Sequence, residues 1–193
     1  MNQPDFRTFP DLETSRLRLR KPALEDAADI FEFRSDPAVM QFIPRPIAKN
    51  LDDVIDLLKV LDDSLEKNER INWAIEWKDT GKVLGMIGYV NILEPHSRAE
   101  VGYALNRIWH RQGIITEALQ AVVDFGFQNM ALHSILAVID AENIASGNLL
   151  ERFGFRKEAH FMEDFFHDGH YRNSVHYGIL QSEWKENMKP RSL

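Results

Sequence analysis

Between Trp73 and Leu105 the apolar residues recur at every second position through three successive stretches, while on both sides of that region they recur every three or four. That change of period is the strongest constraint on the fold, because period two places side chains on the two faces of a strand and period 3.6 on one stripe of a helix. Trp73, Ile75 and Trp77 alternate with Ala74 and Glu76, and Asp79-Thr80-Gly81 is a turn leading into Val83 to Ile92, which predicts a hairpin. A third strand follows over Ala99 to Leu105. Ala99, Val101, Tyr103 and Leu105 face one way, and Glu100, Gly102 and Ala104 face the other. The second face carries one carboxylate among very small residues.

The flanking segments supply helices and further strands. Leu17-Arg18-Leu19-Arg20 reads as a first strand, and Leu24 to Arg34 as a helix with Leu24, Ala27, Ala28 and Phe31 at helical spacing, ending before Pro37. Asn50 can cap a helix whose stripe is Leu51, Val54, Ile55, Leu58, Leu61 and Leu65. Downstream, a short glycine-containing loop feeds a helix over Glu117 to Met130, with Leu119, Val122, Val123, Phe127 and Met130 inward. Ser134 to Asp140 is a β-branched run fit for a buried strand, and Asn143 begins a short helix that Gly154 ends. Phe155 to Phe161 and Asn173 to Leu180 read as two closing antiparallel strands across the turn Asp168-Gly169. This order predicts an α+β, or mixed α/β, layout around one central and mainly antiparallel sheet. A chain of 193 residues, 44% hydrophobic and 27% charged, fits one domain over 1–193, with a core over 12–184 and frayed ends.

Composition narrows the function classes. A formal charge of -7 argues against a broad electrostatic grip on nucleic acid or an anionic membrane, and suits a positively charged substrate better. The absence of cysteine removes disulfides, thiolate nucleophiles and cysteine-based zinc sites, and the seven histidines form no metal set, so no metal is expected. With neither a signal-peptide pattern nor an apolar run approaching about 18 residues, the expected location is the cytoplasm.

Two segments could carry chemistry. Arg111-Gln112-Gly113-Ile114-Ile115-Thr116 stands where a loop enters a helix, and unpaired N–H groups at such a point, with the helix dipole, can receive a phosphate. Gly113 lets the backbone approach a ligand, and Thr116 can cap the helix; an ordinary capped helix fits the same string. In Asn143-Ile144-Ala145-Ser146, Asn143 and Ser146 lie three apart and project from one side of a helix start. Asn143 can be simply a cap there, and Ser146 a small packing residue. Trp73, Trp77 and Trp109 could line a groove, although strand aromatics usually pack in a core.

Taken together, AEVGYAL, WHRQGIITEAL and DAENIASGNLLERFGF, in this order, resemble the GNAT superfamily of N-acetyltransferases, and within it the RimJ and RimL type that acetylates ribosomal-protein N-termini. The resemblance runs from about Leu12 to Trp184. It implies a twisted, mostly antiparallel sheet of about seven strands with helices on both faces, splayed between the strands near 99–105 and 134–140. It implies acetyl-CoA as co-substrate, its pantetheine arm lying along the backbone of Tyr103, Ala104 and Leu105, its pyrophosphate on the amides of Arg111, Gln112, Gly113, Ile114, Ile115 and Thr116. By the same match Asn143 binds the pantetheine or the adenosine-side arm and Ser146 lies near the sulfur. Dimers are common among such proteins.

This chain departs from the family pattern at three places. His110 and Ile115 stand where the phosphate motif has Gln or Arg and Gly or Ala, and the branched Ile115 is expected to narrow the space near the phosphates. Leu150 replaces a tyrosine that often serves as general acid, which leaves Ser146 as proton donor. Transfer also needs a neutral amine. A protein α-amino group, with a pKa of about 8, is neutral roughly one time in ten near pH 7, whereas a lysine, at about 10.4, is almost never so. Glu100 is the candidate to take the amine's proton. The resemblance implies a protein N-terminus as the acceptor, and such an amine needs only a weak base. A polyamine, amino acid or antibiotic amine, or a silent acyl-CoA sensor, are the rival readings.

Overall fold

The structure, a computed structural model, describes Phe6 and residues 8–187. Eight strands form one sheet in the order β1-β2-β3-β4-β5-β6-β8-β7: β1 (Leu12–Glu13), β2 (Leu17–Arg20), β3 (Ile71–Trp77), β4 (Val83–Leu93), β5 (Arg98–Leu105), β6 (Ser134–Asp140), β7 (Arg156–His167) and β8 (His170–Leu180). Every neighbouring pair is antiparallel except β5 with β6. The strand beyond the expected seven is β1, a two-residue edge piece. The helices are α1 (Ala27–Arg34), α2 (Pro37–Met40), α3 (Leu51–Glu66), α4 (Ile114–Gln128), α5 (Ile144–Phe153) and α6 (Gln181–Asn187).

Period two sorts the strand side chains into two cores. Trp73, Ile75, Ile87, Tyr89, Ala99 and Val101 join the inward residues of α4 and Leu150 of α5 in the main cluster. Ala74, Val83 and Met86 meet Ala27, Ile30 and Phe33 of α1 and Val54 and Leu58 of α3 in a smaller one. Thus α1 and α3 cover one face of the sheet, and α4 and α5 the other. Helix α4 lies very close: a Cβ on Gly126 would stand 2.0 Å from the Tyr89 hydroxyl, which donates to the Val122 carbonyl at 2.8 Å.

Two expected details are corrected. The buried face of α1 is Ala27, Ile30 and Phe33, while Leu24 is 61% exposed and Ala28 is exposed. Leu24–Asp26 form a 3₁₀ turn, whose three residues per turn rotate the stripe away from the α-helical register assumed from Leu24 onward. Arg20 fixes that turn to the sheet, donating to both oxygens of the buried Asp26 (2.7 and 2.8 Å) and to Glu76. At the other end, β7 and β8 run further than expected, into a turn with Asp168 at φ 49° and Gly169 at φ 79°, the left-handed pair that a two-residue hairpin loop requires.

Candidate active site

The central feature is a fork in the sheet. Strands β5 and β6 pair only at Arg98↔Ser134, Ala99↔Ile135 and Glu100↔Leu136. Beyond that rung β5 stays on β4 as far as Leu105, and β6 stays on β8 as far as Asp140, so residues 101–105 and 137–140 have no partner strand between them. A bulge at Val90 of β4 lies opposite the same rung, between the pairs Tyr89↔Val101 and Asn91↔Glu100. Bulges bend a strand and increase its twist, which suits the parting of β5 from β6 there.

The two faces of β5 present different chemistry beside the fork. Toward α4 and α5 points Tyr103, whose hydroxyl lies 2.6 Å from Ser146 Oγ. Ser146 is 8% exposed and stands in the first turn of α5, its N–H donating to Asn143 Oδ1 at 3.1 Å. Burial pushes the Tyr103 phenol up to about 12, and the Ser146 hydrogen bond opposes that rise. Leu150 is fully buried in the main core one turn later. On the opposite face stands Glu100, at the last paired rung. Burial raises the pKa of its carboxyl, against the pull of Arg45. Arg45 comes from the segment between α2 and α3, which Arg34 holds in place: the Ala48 N–H donates to the Arg34 carbonyl at 3.0 Å, and Arg34 Nη2 donates to the Pro46 carbonyl at 3.3 Å. Gly102 and Ala104 continue the face of Glu100 with almost no side chain.

Below the fork, the loop from β5 to α4 turns its amides outward. Arg111 and Gly113 both have left-handed φ, 60° and 75°, and Gly113 is the N-cap of α4 with no side-chain cap. Among the described residues, no backbone N–H from 111 to 116 has a hydrogen-bond acceptor. His110 Nε2 meets the Leu105 carbonyl at 3.0 Å, tying the loop to the end of β5. Arg16 Nη1 donates to the Gln112 carbonyl at 3.1 Å. Because a trans peptide points its C=O and N–H in opposite directions, that bond aims the Gly113 N–H away from Arg16. The arginine also bonds Glu117 (2.7 Å), whose carboxylate accepts from Thr14 Oγ1 (2.6 Å), Ser15 Oγ (3.0 Å) and the Arg16 N–H (2.9 Å). Although burial opposes it, these donors bring the Glu117 pKa down to about 2. A helix start with unpaired amides, its one nearby carboxylate neutralised by an arginine, is suited to an anion.

The sequence profile of the Acetyltransferase (GNAT) domain matches residues 16–156. This chain belongs to the GNAT acetyltransferase family. It is an acetyl-CoA-dependent N-acetyltransferase. It is 31% identical over 173 residues to the uncharacterized N-acetyltransferase YoaA of Bacillus subtilis (strain 168), covering 90% of this chain and 98% of that protein. Over 107 residues, 55% of each chain, it is 28% identical to the ribosomal protein uS5-alanine N-acetyltransferase of Escherichia coli (strain K12). The spermidine N(1)-acetyltransferase of the same organism is 23% identical over 168 residues, 87% of this chain and 88% of that one. A GNAT-family acetyltransferase from Bacillus anthracis superposes with a TM-score of 0.80 at 25% identity, covering 90% of this chain and 99% of that one.

Within this GNAT chain the expected site residues group as follows. Glu100, Tyr103, Ala104 and Leu105 all lie on the strand that borders the fork, and Ser146 and Asn143 at the start of α5. Asn143 does cap its helix, as the plain reading of that segment held. Two details of the loop differ from expectation. Thr116 does not cap α4, because the cap falls on Gly113 and Thr116 lies exposed within the first turn. Ile115 does not narrow the loop, because its side chain is packed with Ile114 in the main core. Of the tryptophans, Trp73 is fully buried, its Nε1 donating to the Pro10 carbonyl at 2.7 Å. Trp77 and Trp109 pack on each other at 5.5 Å, with the Arg16 guanidinium 5.7 Å from the Trp77 ring, so this pair buttresses the β2 to α4 junction. Arg16, Arg45 and Glu117 did not stand out in sequence. No short spacing links them to the segments they serve.

Proposed function

We propose that the acceptor is the α-amino group at the N-terminus of a protein, a ribosomal protein being the class suggested by the RimJ and RimL resemblance. The observation that carries this reading is Glu100 at the fork with Arg45 beside it. A carboxylate whose pKa burial raises is a stronger base than an ordinary one but still a weak base, and an amine of pKa about 8 asks less of it than an alkylamine near 10.4.

Under this reading the residues divide the work. The amides of 111–116 hold the diphosphate of acetyl-CoA, and the unpaired edge of β5 through Tyr103, Ala104 and Leu105 accepts its pantetheine arm, with Asn143 beside it. Acetyl-CoA supplies the activated acetyl group. Glu100 takes the amine's proton from the α1 and α3 side, directly or through a water. A backbone N–H of β5 polarises the thioester oxygen, and the Ser146 hydroxyl hydrogen-bonds the departing sulfur from the α5 side. Because a thiol has a pKa of about 8.5, that help is modest in size.

The competing acceptor is a polyamine, since the spermidine acetyltransferase matches more of this chain than the uS5 enzyme does. Thiol release from acetyl-CoA, measured with basic peptides bearing free N-termini, spermidine, free amino acids and aminoglycosides, separates the readings. The peptides are expected to give the highest kcat/KM. Faster turnover of spermidine would replace the protein acceptor, and binding of CoA without thiol release for any amine would mark a sensor.

A further inference from the structure

The hydroxyl pair at the fork has a polarity that can be worked out. Tyr103 Oη and Ser146 Oγ stand 2.6 Å apart, one from the sheet and one from the first turn of α5. Only one hydrogen can occupy the line between two oxygens at that separation. If it is the serine's, Ser146 has no proton left for anything in the fork. If it is the tyrosine's, the serine hydrogen is free to rotate away from Tyr103. A phenol is far more acidic than an alkanol and therefore the better donor, and an alkanol oxygen is the better acceptor. With its ionisation displaced to about 12, the phenol also keeps its proton throughout the working range. Accepting one hydrogen bond then strengthens the serine's own donation, because linked hydroxyls polarise each other in a dry environment. The Ser146 main chain cannot drift, because its N–H is held by Asn143.

We propose that Tyr103 is a positioning residue that donates to Ser146 Oγ and thereby points the serine hydroxyl hydrogen at the sulfur of acetyl-CoA. It rests on the reading above that Ser146 serves the departing sulfur. No proton leaves the tyrosine: the hydrogen bond from Ser146 stabilises charge as the carbon–sulfur bond breaks, the thiolate takes its final proton from solvent or from the amine's released proton, and Tyr103 remains neutral throughout. The family tyrosine replaced here by Leu150 is thus compensated by a phenol arriving from the sheet and acting through the serine.

The test is a double-mutant cycle on the full chain, with the best acceptor of the amine panel. Tyr103→Phe keeps the ring and its packing. It is expected to lower kcat about tenfold, the size of one hydrogen bond, with KM for acetyl-CoA within about twofold and the thermal midpoint lowered by no more than about 4 °C. Ser146→Ala is expected to lower kcat by a similar or larger factor, and Tyr103→Phe added to it to cost nothing more. Equal losses from Tyr103→Phe in both backgrounds would overturn the proposal, since the phenol would then act without the serine. A rise in KM with kcat unchanged would also overturn it, reducing Tyr103 to a wall for the cofactor. If Ser146→Ala alone changes nothing, the assignment of Ser146 fails and this inference with it. A drop for Ser146→Ala with none for Tyr103→Phe refutes the tyrosine's role only.

Discussion

Glu100 makes the pH dependence of the reaction a residue-scale question. Its carboxyl titrates above the usual range because it is buried, and Arg45 works against that rise. A base must be deprotonated to act, so turnover is expected to rise as pH passes upward through the raised pKa and to be lost below it. Glu100→Gln should remove this acidic limb and lower kcat/KM by about 10²-fold, the low end of general-base effects. Arg45→Ala takes away the opposing charge, leaves burial unopposed and should move the limb to higher pH. Profiles of kcat/KM for the three proteins check both signs; an Arg45→Ala limb displaced to lower pH would remove the arginine from the site. Glu100 was legible in sequence as a candidate, a lone carboxylate among small residues, and Ser146 only through the family resemblance, since a capped helix start with a small packing serine fits its segment as well. Arg45 and the bond between Tyr103 and Ser146 were not. They join residues far apart in the chain, and periodicity says which face a side chain takes but not what stands opposite it.

At the scale of elements, the anchoring of α4 is the decisive joint. Glu117 in its first turn, 16% exposed, gathers donors from Thr14, Ser15 and Arg16, so the turn between β1 and β2 is clamped to the loop of unpaired amides. Glu117→Gln should cost about 2 kcal/mol, since bonds to a charged acceptor are the stronger kind. In a chain of this size that is a fall in thermal midpoint of about 4–8 °C. A group whose folded pKa is depressed to about 2 stabilises the fold above its unfolded value, near 4.3, and loses that contribution as pH falls through the folded one. The deficit of the variant should therefore be constant above about pH 5 and shrink between about pH 4 and 2, which calorimetry at several pH values reads directly. The KM for acetyl-CoA should rise several-fold with kcat little changed; a kcat defect at unchanged KM would place Glu117 outside the loop's support. Most elements were legible from local pattern, α3 and β5 from their period, β6 from its β-branched run and α5 from the Asn143 cap and the Gly154 stop. The face of α1 was misread because a 3₁₀ turn shifts the register, and the start of α4 because Gly113 rather than Thr116 is the cap.

For the whole molecule the fork means that two half-sheets are joined by three rungs. One half runs from β1 to β5 and the other holds β6, β8 and β7, and apart from those rungs they are bound by α4, α5 and the shared main core. The edge of β5 beyond Glu100 faces no strand, so its backbone groups, apart from the Leu105 carbonyl that His110 Nε2 meets, are available in the way an exposed sheet edge is. If the pantetheine arm of acetyl-CoA takes the place of a strand there, hydrogen exchange should slow on two separate stretches when the co-substrate is added: residues 101–105 along the edge, and 111–116 at the helix start. The hairpin tip between β7 and β8, remote in register from the paired part of β6, serves as the internal reference and should exchange at the same rate with and without ligand. Protection confined to 111–116 would mean that the diphosphate is held while the arm lies elsewhere, and the fork would then need another occupant. Protection confined to 101–105 would instead remove the phosphate role from the loop, because unpaired amides at a helix start that gain nothing from an anionic ligand are not its receptor.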